Sequence, residues 1–425
     1  VIFFTHVFAE KIEDLHPLFS STHWGAYVVE KDSKTVIFSH HANRFFIPAS
    51  LTKLFTAAKA LQILGPEHRF STVVKSSIEP QEGKIQGNLY LVGGADPFLT
   101  SQDLIALAQQ VHRQGVRIIL GQVLVDDSLF EGSSLPKHGE WEDLIWYYAA
   151  EQNALSVNGN ALKLSITPHP SGKGLANIQL EQEIPFCQLL NLVETVAKAE
   201  KPMLSFNRGL ENNVFEVKGT IPADSPVITE QVAIHSPQKY ACALFTKALQ
   251  NAGIQISNFP QQSSQGSFEI ARVVSNPLDV IITKMNKTSD NLAADLLHKY
   301  LNVSNGDCLY DGAGCSRHNL VTPKQTVDLL ETMESSPHKA VFINSLPVSG
   351  IDGTLTNRFL NIPSGVTIKA KTGFMTGISN LAGWIELENG KQLLFAIYIN
   401  NSTWPRAEMQ KALEKLILHI LDSKF

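Results

Sequence analysis

The sequence predicts an α/β fold in which a β-rich segment is inserted between two parts of one domain. A strand hairpin followed by a helix lies near the start of the chain, and a second hairpin followed by a helix lies near its end. These two pairs can share one sheet with helices on its faces. The middle of the chain instead carries short strand-like segments between Pro, Gly and Asn breaks, which favours a separate β-rich region.

The first part of the chain predicts a hairpin and then a long helix. Residues 24–30 and 35–40 alternate between apolar and polar side chains and are separated by a short polar turn. Residues 48–64 predict one helix, because Pro48 suits a helix start, and Gly65 with the proline after it suits a stop. One face of this helix is apolar and is formed by Leu51, Leu54, Phe55, Ala58 and Leu61.

The remaining elements follow the helical and strand periodicities. Helices are predicted where apolar residues recur every three or four positions, at 100–114, 236–253, 277–286, 291–301 and 405–421. Strands are predicted in the β-rich runs bounded by turn residues, at 70–77, 84–92, 117–126, 161–167, 176–180, 214–219, 365–371, 381–388 and 392–400. The last two strands flank Asn389-Gly390, a dipeptide typical of a tight hairpin turn.

Composition indicates a globular protein with more than one domain. The chain has 425 residues, of which 44% are hydrophobic and 18% charged, and its net charge of −5 argues against a general nucleic-acid binder. Residues 1–9 are apolar and are interpreted as the end of a secretory signal peptide, with a buried strand as the alternative. Elsewhere the sequence contains no run of about 20 apolar residues, so a transmembrane span is not expected in the mature chain.

The cysteines and histidines do not follow a metal-binding pattern. There are four Cys and 14 His, with neither Cys-x-x-Cys nor His-Glu-x-x-His, so neither a metal nor another cofactor is expected. Cys308 and Cys315 flank a Gly-rich loop. They could form a disulfide in an oxidising compartment, but two buried free thiols are the preferred interpretation.

One Ser-x-x-Lys pair has the parts of a serine acyl-transfer centre. Ser50 and Lys53 lie three residues apart, and therefore on one face of the helix predicted at 48–64. A hydroxyl, an amine that can take its proton and a free backbone N–H near a helix start are the groups that acyl transfer needs. The same spacing also occurs, with proline inside it, at Ser134/Lys137, Ser236/Lys239 and Ser336/Lys339.

Two further motifs follow in the order that this chemistry requires. Ser289-Asp290-Asn291 opens a predicted helix, and Lys371-Thr372-Gly373 follows a predicted strand. Ser289 can relay a proton to the leaving amine, and Asn291 can hold the substrate amide. Lys371 and Thr372 can bind a substrate carboxylate, and the charge of Lys371 can lower the pKa of Lys53. Gly373 lets the strand approach the substrate backbone.

With these three motifs the sequence resembles the penicillin-binding protein and serine β-lactamase superfamily. It is most similar to the class C low-molecular-mass D-alanyl-D-alanine carboxypeptidase/endopeptidase family, peptidase S13. The resemblance covers nearly the whole chain and includes the blocks 88–97, 141–148, 154–160, 311–323 and 346–355. The 235 residues between Lys53 and Ser289 match the large two-domain insertion of that family.

The resemblance implies a periplasmic or extracytoplasmic hydrolase of peptidoglycan stem peptides, with β-lactams as covalent inhibitors. Ser50 would be acylated, Lys53 would be its base, and the backbone N–H groups of Ser50 and Phe374 would form the oxyanion hole. The implied domains are catalytic (10–67 and 233–425), inserted domain II (68–94 and 161–232) and inserted domain III (95–160). A weak homodimer is possible.

The resemblance also implies a subsite for the diaminopimelate side chain. Family members that read this side chain use an acid, a tyrosine and a methionine that match Asp143, Tyr148 and Met375, and Arg358 is a further candidate. Phe374 departs from the family, which often has Thr there to bind the terminal carboxylate. We therefore expect weaker carboxypeptidase activity and a preference for crosslinks.

Two other functions share part of this evidence. A serine β-lactamase has the same three motifs and needs a base for deacylation, for which Glu151 is the nearest candidate. A catalytically silent peptidoglycan-binding protein is the second alternative, although such a protein has no reason to keep all five of Ser50, Lys53, Ser289, Asn291 and Lys371. An α/β-hydrolase is disfavoured because no Gly-x-Ser-x-Gly occurs.

Overall fold

The computed structural model describes residues 12–137, 140–182, 184–197, 201–259, 266–301 and 309–424. The chain forms two compact units, one made of residues 1–68 and 277–425 and the other of residues 69–276. The expected signal-peptide remnant at 1–9 and Cys308 lie outside the described residues. In the described part of the chain no helix is both long and apolar enough to cross a membrane.

The helices of the described residues lie where the apolar periodicity predicts them, with a few additions. In chain order they are α1 (Ile12–Leu15), α2 (Leu18–Ser21), α3 (Thr52–Leu64), α4 (Ser101–Arg113), α5 (Pro237–Asn251), α6 (Leu278–Thr288), α7 (Asn291–Tyr300), α8 (Pro323–Glu334), α9 (Lys339–Asn344) and α10 (Arg406–Lys424). Short 3-10 turns occur at Ala49–Leu51, Trp141–Ile145, Tyr147–Ala149, Asn158–Asn160 and Gly353–Leu355.

The strands are more numerous than predicted. In chain order they are β1 (His23–Glu30), β2 (Val36–His40), β3 (Ser71–Ser76), β4 (Lys84–Ile85), β5 (Leu89–Val92), β6 (Ile118–Ile119), β7 (Val123–Asp126), β8 (Ala161–Thr167), β9 (Gly174–Leu175), β10 (Asn177–Leu180), β11 (Gln188–Val196), β12 (Met203–Arg208), β13 (Val214–Pro222), β14 (Ile228–Ala233), β15 (Gln255–Ile256), β16 (Phe268–Val274), β17 (Thr367–Met375), β18 (Ile378–Glu386) and β19 (Gln392–Asn400).

The first unit is built on one antiparallel sheet of order β17-β18-β19-β1-β2. Its two central strands, β18 and β19, are buried almost throughout, so they are covered on both faces. On one face the sheet packs against the apolar side of α10, including Leu413, Leu416 and Ile420. On the other face the Tyr398 hydroxyl lies 2.6 Å from the Thr326 hydroxyl of α8. The predicted sharing of one sheet by the two hairpins is confirmed.

The described residues of the second unit form four small sheets around a common apolar core. Sheets of order β16-β3-β5-β7 and β15-β6-β4 combine residues 71–126 with residues 255–274. Sheets of order β10-β8-β14 and β12-β13-β11-β9 use residues 161–233. Helix α4 packs against α5 and β16. The middle region is therefore β-rich, as its composition predicts.

The predicted domain boundaries differ from this arrangement in two respects. Residues 233–276 belong to the second unit, because β16 pairs with β3 and α5 packs on α4. In addition, strands β3 and β5 pair with each other, and β5 pairs with β7, rather than with the strands of 161–232. The helical periodicity of 236–253 predicts a helix correctly but carries no information about which sheet that helix covers.

Candidate active site

Ser50 lies in a tight turn directly before the long helix. The chain forms a 3-10 turn at Ala49–Leu51, and α3 begins at Thr52, so the first turn of the predicted helix is tighter than an α-helix. Ala49 has φ of 48°, a left-handed conformation that is unfavourable for a residue with a Cβ. Strain of this kind persists only where surrounding contacts impose it.

Three neighbours impose that conformation. The Asn380 side-chain amide donates to the carbonyls of Ile47 at 3.0 Å and of Pro48 at 2.9 Å. A Cβ on Gly373 would lie 2.6 Å from the Pro48 carbonyl oxygen, and one on Gly314 would lie 1.8 Å from the Ala49 carbonyl oxygen. Both glycines are therefore required for close packing beside the nucleophile.

The Lys53 amine lies at the centre of a buried hydrogen-bond group. Its Nζ is 2.9 Å from Ser50 Oγ, and it donates to Asn291 Oδ1 at 2.8 Å and to the Ala313 carbonyl at 2.7 Å. The side chain has no solvent exposure. Burial lowers the pKa of Lys53 below its ordinary 10.5, although nearby acidic groups, first Cys315 and then Asp295, oppose this shift. A neutral amine in this position can accept the Ser50 proton.

The Ser289-Asp290-Asn291 motif joins two helices by a sharp turn. Ser289 ends α6 in the left-handed region, with φ of 61°, and Asp290 caps α7 by accepting from the Ala293 N–H at 2.8 Å. Ser289 and Asn291 contact different lysines. Ser289 Oγ accepts from Lys371 Nζ at 2.9 Å, whereas Asn291 accepts from Lys53.

Lys371 and Thr372 lie on β17, at one edge of the sheet. Besides its bond to Ser289, Lys371 Nζ donates to the Thr372 carbonyl at 3.0 Å, and the Thr372 hydroxyl donates to the Thr354 hydroxyl at 2.8 Å. Lys371 is fully buried, and burial, followed by the charge of Lys53, holds its pKa well below 10.5. The sequence predicts that Lys371 lowers the pKa of Lys53. In the structure burial is the main cause for both amines.

Two buried carboxylates shape the loop that faces Lys53, and sequence reasoning assigned them no role. Asp295 accepts from the backbone N–H groups of Gly312 and Ala313 at 3.0 and 2.9 Å, and Asp311 accepts from that of Gly314 at 2.6 Å. These bonds present the Ala313 carbonyl to Lys53. Burial and the neighbouring Asp311 raise the pKa of Asp295 to about 7. An acid within the otherwise apolar stretch of α7 was the available sequence signal.

Cys315 lies within this site as well. Its sulfur accepts from Asn291 Nδ2 at 3.2 Å. Asn291 therefore contacts Lys53 through its oxygen and Cys315 through its nitrogen, which fixes the orientation of the amide. The sequence assigns Cys315 no function.

The predicted subsite residues belong to both units. Asp143 and Tyr148 lie in the second unit, where the Tyr148 hydroxyl donates to Asp143 at 2.9 Å. Met375 ends β17 and is half-buried. Arg358 is buried, and its Nε donates to Glu414 of α10 at 2.7 Å. That ion pair gives Arg358 a partner within the first unit, and its part in substrate binding stays a prediction.

Among the described residues no group of three or more His, Cys, Asp or Glu side chains could hold a metal ion. A serine hydroxyl beside a buried lysine, on a helix packed against the edge of an antiparallel sheet, defines the penicillin-binding protein and serine β-lactamase class of folds.

The chain belongs to the D-Ala-D-Ala carboxypeptidase 3 (S13) family, whose model matches residues 6–307 and 301–420. It is 31% identical to a D-alanyl-D-alanine carboxypeptidase of Actinomadura sp. (strain R39), over 90% of this chain and 78% of that protein. It is 26% identical to a D-alanyl-D-alanine carboxypeptidase of Haemophilus influenzae, over 86% of this chain and 82% of that protein.

The fold is similar to the crystal structure of penicillin-binding protein 4 from Haemophilus influenzae. The TM-score is 0.83 at 25% identity, covering 97% of this chain and 99% of that chain. The same protein has been solved in complex with a β-lactam, with a TM-score of 0.77.

Proposed function

We propose that this chain is a serine D,D-peptidase that cleaves D-alanyl-D-alanine bonds of peptidoglycan stem peptides through an acyl-enzyme on Ser50. The observation that carries the proposal is the fully buried Lys53 amine, 2.9 Å from Ser50 Oγ, whose pKa is lowered by burial. A lysine in this state is a base matched to a serine nucleophile. Because peptidoglycan lies outside the cytoplasm, the proposal places the enzyme in the periplasm or another extracytoplasmic compartment.

In the proposed mechanism, acylation uses two hydrogen-bonded pairs, Ser50 with Lys53 and Ser289 with Lys371. Lys53 takes the Ser50 proton while Oγ bonds to the carbonyl carbon of the penultimate D-Ala, and the N–H groups of Ser50 and Phe374 stabilise the oxyanion. Ser289 donates its proton to the leaving amine and regains one from Lys371, to which it is bonded at 2.9 Å. The C–N bond then breaks and leaves Lys53 protonated and Lys371 neutral.

Deacylation restores the starting state. Water attacks the acyl carbon and transfers a proton through Ser289 to Lys371, while Ser50 takes back its proton from Lys53. A substrate carboxylate near Lys371 keeps that amine protonated at the start of the cycle, because an opposite charge raises a lysine pKa.

Substrate binding in the proposal uses the remaining predicted residues. Thr372 and Lys371 bind the carboxylate, and Gly373 allows β17 to approach the peptide backbone. Asn291 orients Lys53 and contacts the substrate amide. Asp143, Tyr148 and Met375 read the diaminopimelate side chain, for which a carboxylate bonded to a tyrosine hydroxyl suits a substrate ammonium group. This subsite would extend the activity to D-Ala-diaminopimelate crosslinks.

The test is covalent labelling together with peptide hydrolysis. Benzylpenicillin should add one penicilloyl group at Ser50, and Ser50→Ala should abolish both the adduct and the release of D-Ala. Ser336→Ala is the matched control, because Ser336 belongs to another Ser-x-x-Lys pair of the same unit. An adduct on a serine other than Ser50, or no adduct on the wild type, would overturn the proposal.

The two alternatives gain no support from the site. Glu151, the candidate deacylation base of a β-lactamase, is buried in the second unit and accepts from His235 and from the Ser134 hydroxyl, each at 2.7 Å. Rapid nitrocefin turnover without a stable adduct would identify a β-lactamase. A protein that binds peptidoglycan and is never acylated would identify the silent alternative.

A further inference from the structure

An arginine stacks on Phe374, the residue that follows the third motif. Phe374 follows Lys371-Thr372-Gly373 on β17, and its ring is 40% exposed. The guanidinium carbon of Arg406 lies 4.2 Å from the centre of this ring. A guanidinium that stacks on an aromatic face keeps its N–H donors in its own plane, where they can still bind a planar anion.

The backbone holds Arg406 at this place. The Ser402 N–H donates to the Gly377 carbonyl at 3.0 Å, which ties the segment before α10 to the turn between β17 and β18. Helix α10 then begins at Arg406 itself. On the same turn Arg317 donates to the Thr376 carbonyl at 3.3 Å. The end of the third motif is therefore bordered by two guanidinium groups.

The positive charge of Arg406 is not neutralised within the described part of the chain. No described carboxylate lies within 4.0 Å of the Arg406 guanidinium, the distance that defines an ion pair. The nearby acids of α10 have other partners, since Glu408 pairs with Lys411 at 2.7 Å and Glu414 pairs with Arg358 at 2.7 Å. A cation at the first residue of a helix is also unfavourable, because the N-terminus carries the positive end of the helix dipole. Helix stability therefore gives no reason for an arginine here.

We propose that Arg406 is a specificity-determining residue that binds the substrate carboxylate next to the scissile bond. In this role it replaces the hydroxyl that Phe374 lacks. The inference rests on the proposed function and deepens it, since a D-Ala-D-Ala terminus carries such a carboxylate on the carbon that bears the leaving nitrogen. An arginine recognises a carboxylate by charge and by two parallel hydrogen bonds, whereas a threonine offers one neutral donor. Phe374 then supports Arg406, so terminal peptides remain good substrates, in contrast to the weaker carboxypeptidase activity that the missing threonine alone predicts.

The experiment compares two peptides that differ only in this charge. One is a diacyl-Lys-D-Ala-D-Ala peptide with a free carboxylate, and the other is the same peptide with a C-terminal carboxamide. Arg406→Gln should lower kcat/KM for the acid about tenfold to a hundredfold, the range for a hydrogen bond to a charged group. It should change kcat/KM for the carboxamide by no more than about twofold.

Matched variants separate this role from a general effect of charge. Lys415→Gln removes the same charge from an exposed position farther along α10 and should leave the acid-to-amide ratio unchanged. Arg406→Lys keeps the charge without the planar fork and should give an intermediate ratio. Adding Phe374→Thr to Arg406→Gln restores a hydroxyl and should recover part of the preference for the acid.

The outcomes distinguish the inference from the proposed function. Equal losses on the two peptides, or no loss on the acid, would overturn the role of Arg406 while leaving the peptidase intact. A wild-type protein that hydrolyses neither peptide and forms no penicilloyl adduct would overturn both.

Discussion

At the scale of single residues, the unusual feature is a pair of fully buried lysines in one site. Lys53 and Lys371 have no solvent exposure, and burial lowers the pKa of each. Their positive charges would also repel each other. We therefore expect one of the two amines to be protonated and the other to be neutral. Such a difference in protonation would allow Lys53 to act as a base and Lys371 as a proton donor in the same pocket at one pH.

The first prediction concerns the pH dependence of acylation. Only neutral Lys53 can accept the Ser50 proton, and the fraction that is neutral rises with pH through its pKa. Because that pKa is lowered from 10.5, the rate of penicilloylation should reach its plateau at a lower pH than a solvated lysine allows. Lys53→Arg cannot release its proton and should lower acylation at least about a thousandfold.

Stopped-flow acylation across pH 5 to about 10 checks this prediction. Near-wild-type acylation by Lys53→Arg would remove Lys53 from the role of base and leave Ser289 as the next candidate. The same shift has a consequence for stability. Because the folded-state pKa of Lys53 lies below 10.5, the unfolded chain takes up this proton first as pH falls, so stability is lost from about pH 10.5 downward and the loss is complete below the folded-state pKa. Lys53→Met removes this penalty and should raise the melting temperature at neutral pH while abolishing acylation.

Sequence predicted some of these residues and not others. The residues predicted from sequence belong to short motifs, which can be recognised because local geometry fixes the spacing of their residues. They are Ser50, Lys53, Ser289, Asn291, Lys371 and Thr372. Asp295 binds a backbone N–H 17 residues away, and the Ala313 carbonyl lies 260 residues from Lys53 in the sequence, so only the fold brings these groups together. For Arg358 the sequence could not predict the ion pair with Glu414, because that partner lies on α10, 56 residues farther along the chain.

At the scale of elements, strand β17 joins the parts of the site. It carries Lys371 and Thr372, and its Gly373 contacts the turn that holds Ser50. Gly373 lies opposite Asn380 in β18, and Asn380 in turn binds the carbonyls of Ile47 and Pro48. The edge of the sheet thus sets the distance between the nucleophile and the third motif.

The second prediction tests this packing through Gly373→Ala. The added methyl would lie 2.6 Å from the Pro48 carbonyl oxygen, which must move away. We expect a loss of about 1 to 3 kcal/mol in the free energy of unfolding, as for other overpacked sites. We expect acylation to fall at least about a hundredfold, since a small displacement of reacting groups has effects of this size.

Gly390→Ala is the control for this variant. Gly390 has φ of 81° and no atom within 4 Å of an added Cβ, so the substitution strains the backbone without displacing a neighbour. It should cost about 1 kcal/mol and leave acylation unchanged. If the two variants lose acylation equally, β17 does not set the position of Ser50.

Most elements were predicted to within a few residues, and the exceptions have a physical cause. Helices α4, α5, α7 and α10 and strands β8 and β19 lie where the periodicity predicts them. Strands β11, β12, β14 and β16 were missed. Their solvent-facing positions include exposed apolar side chains such as Leu190, Leu192 and Met203. These side chains weaken the alternation of apolar and polar residues on which strand prediction depends.

At the scale of the whole molecule, the chain leaves the first unit and returns to it at one point. The Leu278 N–H donates to the His68 carbonyl at 2.9 Å, and the Asp279 N–H donates to the Pro66 carbonyl at 3.0 Å. The two ends of the first unit are thus neighbours where residues 69–276 are inserted. Sequence could predict that an insertion exists, but not its end at 276, because that boundary depends on which helices and strands pack together.

The third prediction is that the second unit can be removed. Replacing residues 69–276 by a short Gly-Ser linker should leave a protein that unfolds cooperatively and is still labelled by benzylpenicillin. If Asp143 and Tyr148 have the role proposed for them, selectivity for diaminopimelate peptides should be lost with the second unit. Mass spectrometry of the adduct and a thermal melt provide the measurements, and the same deletion with Ser50→Ala is the control. A deletion variant that melts cooperatively but cannot be acylated would show that the second unit supplies part of the catalytic site.

The pairing of β1 with β19 also fixes when this site can form during synthesis. On the ribosome, β1, β2 and α3 emerge early with Ser50 and Lys53, but their partner strands β17 to β19 emerge only after the whole second unit. The second unit can fold at a stage when the first unit still lacks strands β17 to β19 of its sheet. A nascent chain that stops before β17 therefore carries a nucleophile and a base but no assembled site, so hydrolytic activity cannot arise until β17 to β19 have been synthesised.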